Sequence, residues 1–304
     1  MIVIVCPGQG SQSPGFLAPW LELPGAREHL TALSDAAGVD LVAHGTTSDE
    51  ETIKDTAVAQ PLLVGAGLLA LRALGGVSGV GALAGHSVGE ITAASAAGVL
   101  AEDDAMRLVA LRGRAMAEAS AATPTGMSAV LGGDPDDVLA TIARHDLTPA
   151  NVNGAGQVVA AGALPALAAL ADDPPARARV IPLKVAGAFH TRYMQPAVEV
   201  LAAAAADHDV SDPGVTLVSN RDGEVVTTGR ETLDRIVSQV SNPVRWDLCM
   251  ERFTALGVTA VIEVPPAGTL VGLAKRALKG VELLAVKGPD DLDAARTLIE
   301  EHSA

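Results

Sequence analysis

Ser87 stands in Leu83-Ala84-Gly85-His86-Ser87-Val88-Gly89-Glu90-Ile91, an order of residue types that suits a serine nucleophile. The apolar start predicts a short strand, and Ala93, Ala94, Ala96 and Ala97 predict a small-faced helix directly after it. Between them lies Gly-x-Ser-x-Gly, in which small neighbours let the backbone bend so tightly that a hydroxyl projects from the sheet end. Ala84, Gly85 and Gly89 leave room for that bend, with the partly positive helix N-terminus near Ser87. Such a hydroxyl attacks an acyl carbon once a base takes its proton. The same pentapeptide also reads as an ordinary strand–turn–helix with a serine N-cap.

The base must come from elsewhere. Of seven histidines, His29, His44, His145, His208 and His302 lie in polar or terminal segments, where solvation is expected. His86 adjoins Ser87, and adjacent side chains at a strand end point apart, so it is a poor base for its neighbour. His190, in Gly187-Ala188-Phe189-His190-Thr191 ahead of a helix, is the remaining candidate. By itself it reads more readily as a structural histidine than as a catalytic one.

A cation is written into a third segment. Glu102, Asp103 and Asp104 open a helix whose positions advance by about 100°. Arg107, Arg114 and Glu118 share one polar stripe, whereas Arg112 falls among Leu108, Val109 and Met116 in the apolar arc. A guanidinium there keeps its charge and needs an anionic or carbonyl partner. It either meets a structural group or waits for a substrate carboxylate, gripped by two parallel hydrogen bonds.

The elements that must position these groups alternate between strand and helix. Ile2–Cys6 is a continuous apolar run, as a central parallel strand requires, leading into Pro7-Gly8-Gln9-Gly10-Ser11-Gln12. That loop is no Walker loop and a poor dinucleotide fingerprint; by itself it reads first as a plain tight turn, though its backbone N–H groups can face a developing negative charge. Residues 26–37 and 49–74 read as helical, with Pro61 near a helix start. After Thr123-Pro124 the order is strand, helix, two strands, helix, strand up to Lys184, the ferredoxin-like β-α-β-β-α-β arrangement. Strands at 215–220, 258–264 and 281–286 follow, with helices near 231–240, 244–256, 268–278 and 290–302. The expected fold is α/β: an α/β-hydrolase-like core with a mostly parallel sheet (1–124 and 187–304) and an inserted ferredoxin-like subdomain (125–186).

Composition narrows the function. Of 304 residues 49% are hydrophobic, enough for a sizeable core, but only 2% are aromatic, too few for base stacking. A net charge of −15 likewise disfavours polyanions, so nucleic acid is not expected as a partner. Cys6 and Cys249 lack metal-ligand spacing and read as reduced core residues of a cytoplasmic protein. No basic signal-peptide start precedes the first strand, and no uncharged apolar run reaches ~18 residues, so neither secretion nor a membrane span is expected.

Taken in order, these segments resemble the malonyl-coenzyme A:acyl carrier protein transacylases of bacterial fatty acid synthesis, nearly end to end. The likeness rests on Gly8-Gln9-Gly10-Ser11-Gln12, Gln60-Pro61, Gly85-His86-Ser87-Val88-Gly89-Glu90 and Arg112-Gly113. Asn151-Val152-Asn153, Gln157-Val158-Val159, Gly187-Ala188-Phe189-His190 and Asn242-Pro243-Val244-Arg245-Trp246 complete it. One departure is Glu263-Val264-Pro265-Pro266-Ala267, where the family has Glu-Val-Gly-Pro-Gly; Gly268 is placed to take over the glycine role.

The resemblance implies Ser87 as nucleophile, His190 as base, and backbone N–H groups at Gln9 and Val88 as the oxyanion hole. Arg112 would bind the malonyl carboxylate, Gln60 and Asn153 would support the pocket, and Phe189 would narrow it against methylmalonyl. The carbonyl of Arg245 would orient His190. The implied partners are malonyl-coenzyme A and acyl carrier protein, with no metal or other cofactor, in a monomer. Because such carriers are acidic, docking would need a local basic cluster, for which Lys275, Arg276 and Lys279 are the candidates, with Lys184 and Arg192 as further members. Two rivals remain at this stage: a hydrolase in which water deacylates Ser87, and a non-catalytic carrier-binding protein.

Overall fold

The computed structural model describes residues 1–303. Two strands come early, β1 (Ile2–Cys6) and β2 (Ala82–Gly85). Residues 125–182 supply β3 (Thr125–Gly132), β4 (Thr148–Gly154), β5 (Gln157–Ala163) and β6 (Ala178–Pro182). Then follow β7 (Thr216–Val218), β8 (Val225–Val226), β9 (Val244–Arg245), β10 (Ala260–Glu263) and β11 (Glu282–Ala285).

The first sheet runs β11–β10–β1–β2–β7–β8, parallel except for the β7–β8 pair. Every residue of β1 is buried, which is why it is apolar without alternation: helices cover both faces. Cys6 stands opposite Gly85, so the loop after β1 and the turn after β2 leave from neighbouring strand ends. Parallel sheets offer their crevices at such carboxyl ends.

Two long helices flank this region. The first, Thr56–Leu74, is by length and composition apolar enough to cross a membrane, yet most of it is buried inside the protein. The second, Glu102–Ala122, carries Arg112. A Cβ on Gly113 would come within 2.8 Å of the Thr56 carbonyl oxygen, so glycine there lets the two helices approach closely. That approach sets Arg112 beside Gln60.

The second sheet runs β6–β3–β5–β4–β9. Its first four strands are antiparallel and enclose a small core with Val130, Val138, Ile142 and Leu170. The fifth, β9, lies parallel to β4 and comes from far along the chain. The apolar pattern predicts helix from 244, but the helix starts at Trp246, because Val244 and Arg245 pair with Asn151 and Val152.

Other local expectations are corrected for equally local reasons. Residues 49–74 are not one helix: Asp55 breaks the chain and caps the next helix, its carboxylate accepting the Ala57 N–H at 2.8 Å. Gln60-Pro61 therefore lies in the second turn of a helix, near its start as the sequence suggests. His29 is not solvated but buried, bonded to Glu102 at 2.8 Å. Cys6 and Cys249, by contrast, are buried free thiols as expected.

Candidate active site

The turn after β2 is strained where the chemistry would be. Ser87 has φ 52°, a left-handed conformation that residues other than glycine seldom adopt. A Cβ on Gly85 would lie 2.0 Å from the Gly89 carbonyl carbon, so only glycine permits a bend this tight. Asn220 fixes it from outside: its Oδ1 accepts the Ser87 N–H at 2.8 Å and its Nδ2 donates to the Gly85 carbonyl at 2.5 Å.

His190 reaches the turn from the chain that re-enters after β6. It too has a left-handed backbone, φ 61°, and its Nε2 stands 2.8 Å from the Ser87 Oγ. Its Nδ1 stands 2.8 Å from the main-chain oxygen of Gln239. A carbonyl only accepts, so Nδ1 carries the proton and Nε2 is left to accept from the hydroxyl. The orienting carbonyl is thus that of Gln239 and not of Arg245, whose guanidinium instead pairs with Asp247 at 2.8 Å. Among the described residues no carboxylate bonds His190; its two ring nitrogens face the Ser87 hydroxyl and the Gln239 carbonyl.

Burial, and then the positive charge of Arg112, push the His190 imidazole down to about 3. It is therefore neutral, and able to accept a proton, throughout the physiological range. A depressed base contributes stability above about 6.5, its unfolded value, and loses it as pH falls toward the folded one. Expected result: in protein with ¹⁵N-labelled imidazoles, the His190 ring keeps its neutral Nδ1–H signature between about pH 8 and 5. Titration near the free-histidine value would show that the ring is not desolvated.

Ser87 and His190 face a cavity of ≈ 460 Å³ between the two sheets. Gln9, Val88, Gln60, Phe189 and Asn153 line it as well. The N–H groups of Gln9 and Val88 have no protein acceptor among the described residues, which leaves two donors beside the hydroxyl. Gly8 packs next to them: a Cβ there would be 3.6 Å from that of Ser87. His86 turns away from Ser87, its Nε2 at 2.9 Å from the Asn153 Oδ1 and its ring edge-on to Trp246.

Arg112 does not line the cavity. It is 1% exposed, one residue behind Gln60 and Met116, which do. Two neutral amides hold it: it donates to Gln60 Oε1 at 2.6 Å and to Gln239 Oε1 at 2.9 Å. Its Nε is buried without a partner. Burial lowers its pKa to about 10, partly offset by Glu90, so it stays cationic at neutral pH. Glu90 is itself buried, and desolvation raises its carboxyl to about 7.

Asn220 and Gln239 went unnoticed in the sequence. Gln239 was within reach of the wheel that singled out Arg112, since at about 100° per residue it borders the arc of Thr232, Leu233 and Ile236. Asn220 follows a three-residue strand and carries no local signal. On the outer side, Lys275, Arg276 and Lys279 are exposed at the end of helix Thr269–Ala277, whose start reaches the cavity. Arg276 donates to Gln157 Oε1 at 3.3 Å. In the departing loop Gly268 has φ 137°, and its N–H donates to Glu263 at 2.8 Å, so it does serve as the glycine there. Among the described residues no group of three or more His, Cys, Asp or Glu is placed to hold a metal ion.

A serine hydroxyl on a strained strand–helix turn, bonded to a histidine steered by a carbonyl, is an arrangement suited to carrying acyl groups on serine. Residues 3–298 match the acyl transferase domain family. A malonyl CoA-acyl carrier protein transacylase of Mycobacterium bovis is 56% identical over 302 residues, covering 98% of this chain and 100% of the relative. The crystal structure of MCAT from Mycobacterium tuberculosis superposes with a TM-score of 0.95 at 56% identity, over 97% of this chain and 99% of that one. A type II PKS acyl-carrier protein in complex with its malonyl-transacylase contains a chain matching at TM-score 0.92 and 32% identity, with 98% and 99% covered. The chain belongs to the acyl transferase domain family, among its malonyl CoA-acyl carrier protein transacylases.

Proposed function

We propose that this transferase moves a malonyl group from malonyl-CoA to the phosphopantetheine thiol of an acyl carrier protein, by way of an ester on Ser87. The observation that carries the reading is the 2.8 Å contact between Ser87 Oγ and a His190 Nε2 left free to accept. His190 takes the hydroxyl proton as Oγ attacks the thioester carbonyl. The oxygen that becomes negative is held by the N–H groups of Gln9 and Val88, donors of a kind that contributes a few kcal/mol. The tetrahedral intermediate collapses, the C–S bond breaks, and His190 returns the proton to the departing coenzyme A sulfur. In the second half the carrier thiol gives its proton to His190 and attacks the ester, the bond from the acyl carbon to Oγ breaks, and His190 returns the proton to Oγ, restoring Ser87.

Arg112 selects the acyl group. Both its partners are neutral amide oxygens, and Gln60 is the one that also faces the cavity. A malonyl carboxylate in place of the Gln60 oxygen exchanges a neutral acceptor for a charged one, which bonds more strongly. Phe189, beside the base and on the cavity wall, is the bulky side chain we assign to discrimination against a methyl group at the α-carbon. The reaction so read needs only malonyl-CoA and the carrier's phosphopantetheine thiol, with no cofactor, and we place it in the cytoplasm.

Carrier docking falls to Lys275, Arg276 and Lys279, exposed cations on a chain whose net charge of −15 repels an acidic partner elsewhere. One assay tests transfer and docking together: malonyl-CoA with carrier present, scoring malonyl-carrier against free malonate. Carrier should collect nearly all the label, and combined Lys275→Glu and Arg276→Glu should raise KM for the carrier but not for malonyl-CoA. Free malonate as the main product would make the enzyme a hydrolase.

A further inference from the structure

Behind the nucleophile lies a buried carboxylate that the transfer steps do not use. Glu90 is in the first turn of helix Gly89–Ala96, 6% exposed and away from the cavity wall. It does not cap its own helix. Oε1 accepts the Asn220 N–H at 2.5 Å, and Oε2 accepts from Gln239 Nε2 at 2.5 Å.

Those two residues hold everything that must react. Asn220 accepts the N–H of Ser87. The Gln239 Nε2 also donates to the Ser87 carbonyl at 3.1 Å, and the Gln239 main-chain oxygen orients His190. Its Oε1 takes Arg112. We propose that Glu90 is a positioning residue, whose two oxygens clamp Asn220 and Gln239 and so fix Ser87 and His190 in register.

The clamp needs an acceptor on both sides. A Gln239 amide that gives its oxygen to Arg112 must present its NH₂ toward Glu90, and Asn220 presents an N–H as well. Two donors converge, and against the desolvation that raises its pKa they favour the ionised form of Glu90, whose two oxygens can satisfy both. Glutamine at this position has the right shape but only one acceptor oxygen, so its NH₂ must oppose one donor. Turning the Gln239 amide to relieve the clash would aim its NH₂ at the Arg112 guanidinium. Among the described residues Glu90 and Arg112 form no direct ion pair; Gln239 stands between them.

This inference rests on the reading of Ser87 and His190 as the reacting pair, and its test keeps the two apart. The probe is an uncharged alkyl fluorophosphonate: the Ser87 Oγ bonds to phosphorus, the P–F bond breaks and fluoride leaves, His190 takes the hydroxyl proton, and no carboxylate is offered to Arg112. Its rate of attachment to Ser87 is measured in wild type, Glu90→Gln and Glu90→Asp, all shown folded by near-UV circular dichroism. Since misplacing reacting groups by about 1 Å costs up to about a hundredfold, E90Q should label at least about tenfold more slowly and lose malonyl transfer by a similar factor. E90D, which keeps both acceptor oxygens, should recover part of the rate. Labelling of folded E90Q at the wild-type rate overturns the inference, as does a loss confined to malonyl-CoA. If E90Q does not fold, E90D decides alone: slowed labelling supports the clamp, and a wild-type rate overturns it. Wild type that fails to label at Ser87 defeats the underlying reading instead.

Discussion

Arg112→Ala is expected to lower the ratio of kcat/KM for malonyl-CoA to that for acetyl-CoA by about ten- to over a hundredfold per lost charged hydrogen bond, each contributing roughly 1.5–3 kcal/mol. Acetyl transfer itself should be unchanged or faster, because an acetyl group never had that bond to lose. The ratio is the right readout, since the variant also leaves Gln60 and Gln239 without their donor and will be less stable. Any loss of folded protein cancels between the two substrates. Arg112→Lys should fall between the two, keeping the charge but not the planar fork. An unchanged ratio would remove Arg112 from substrate selection and leave it a buried structural cation.

Ser87→Ala should reduce malonyl transfer by at least about a thousandfold, as removal of a covalent nucleophile does. The side chain removed is small and makes one hydrogen bond, to His190, so the fold should survive. The backbone anchor through Asn220 is untouched by the substitution. Rates of transfer with saturating carrier would show the effect. Residual activity within about tenfold of wild type would mean that the acyl group passes directly between thiols.

How far these residues were legible in the chain depends on how each is specified. Ser87 was readable because a strained turn demands particular neighbours, and Gly85 tolerates no Cβ. Arg112 was readable because a charge on an apolar arc breaks the pattern of its own helix. His190 stood out by elimination among seven histidines. The carbonyl that steers His190 was not readable: every residue has one, so nothing in a side chain distinguishes Gln239 from Arg245. Likewise β9 is only two residues long, held by pairing with Asn151 and Val152 across a long loop rather than by any run of its own. The covering of Arg112 by Gln60 also follows from a helix–helix approach at Gly113, and the linear pattern records only that Arg112 faces inward.

The most direct test weighs the intact protein after brief exposure to malonyl-CoA without carrier. Wild type should gain the mass of one malonyl group, placed on Ser87 by fragmentation and discharged when the carrier thiol is added, while Ser87→Ala gains nothing. An adduct of the same mass on the Ser87→Ala protein, or none on wild type that is turning over, would contradict the account.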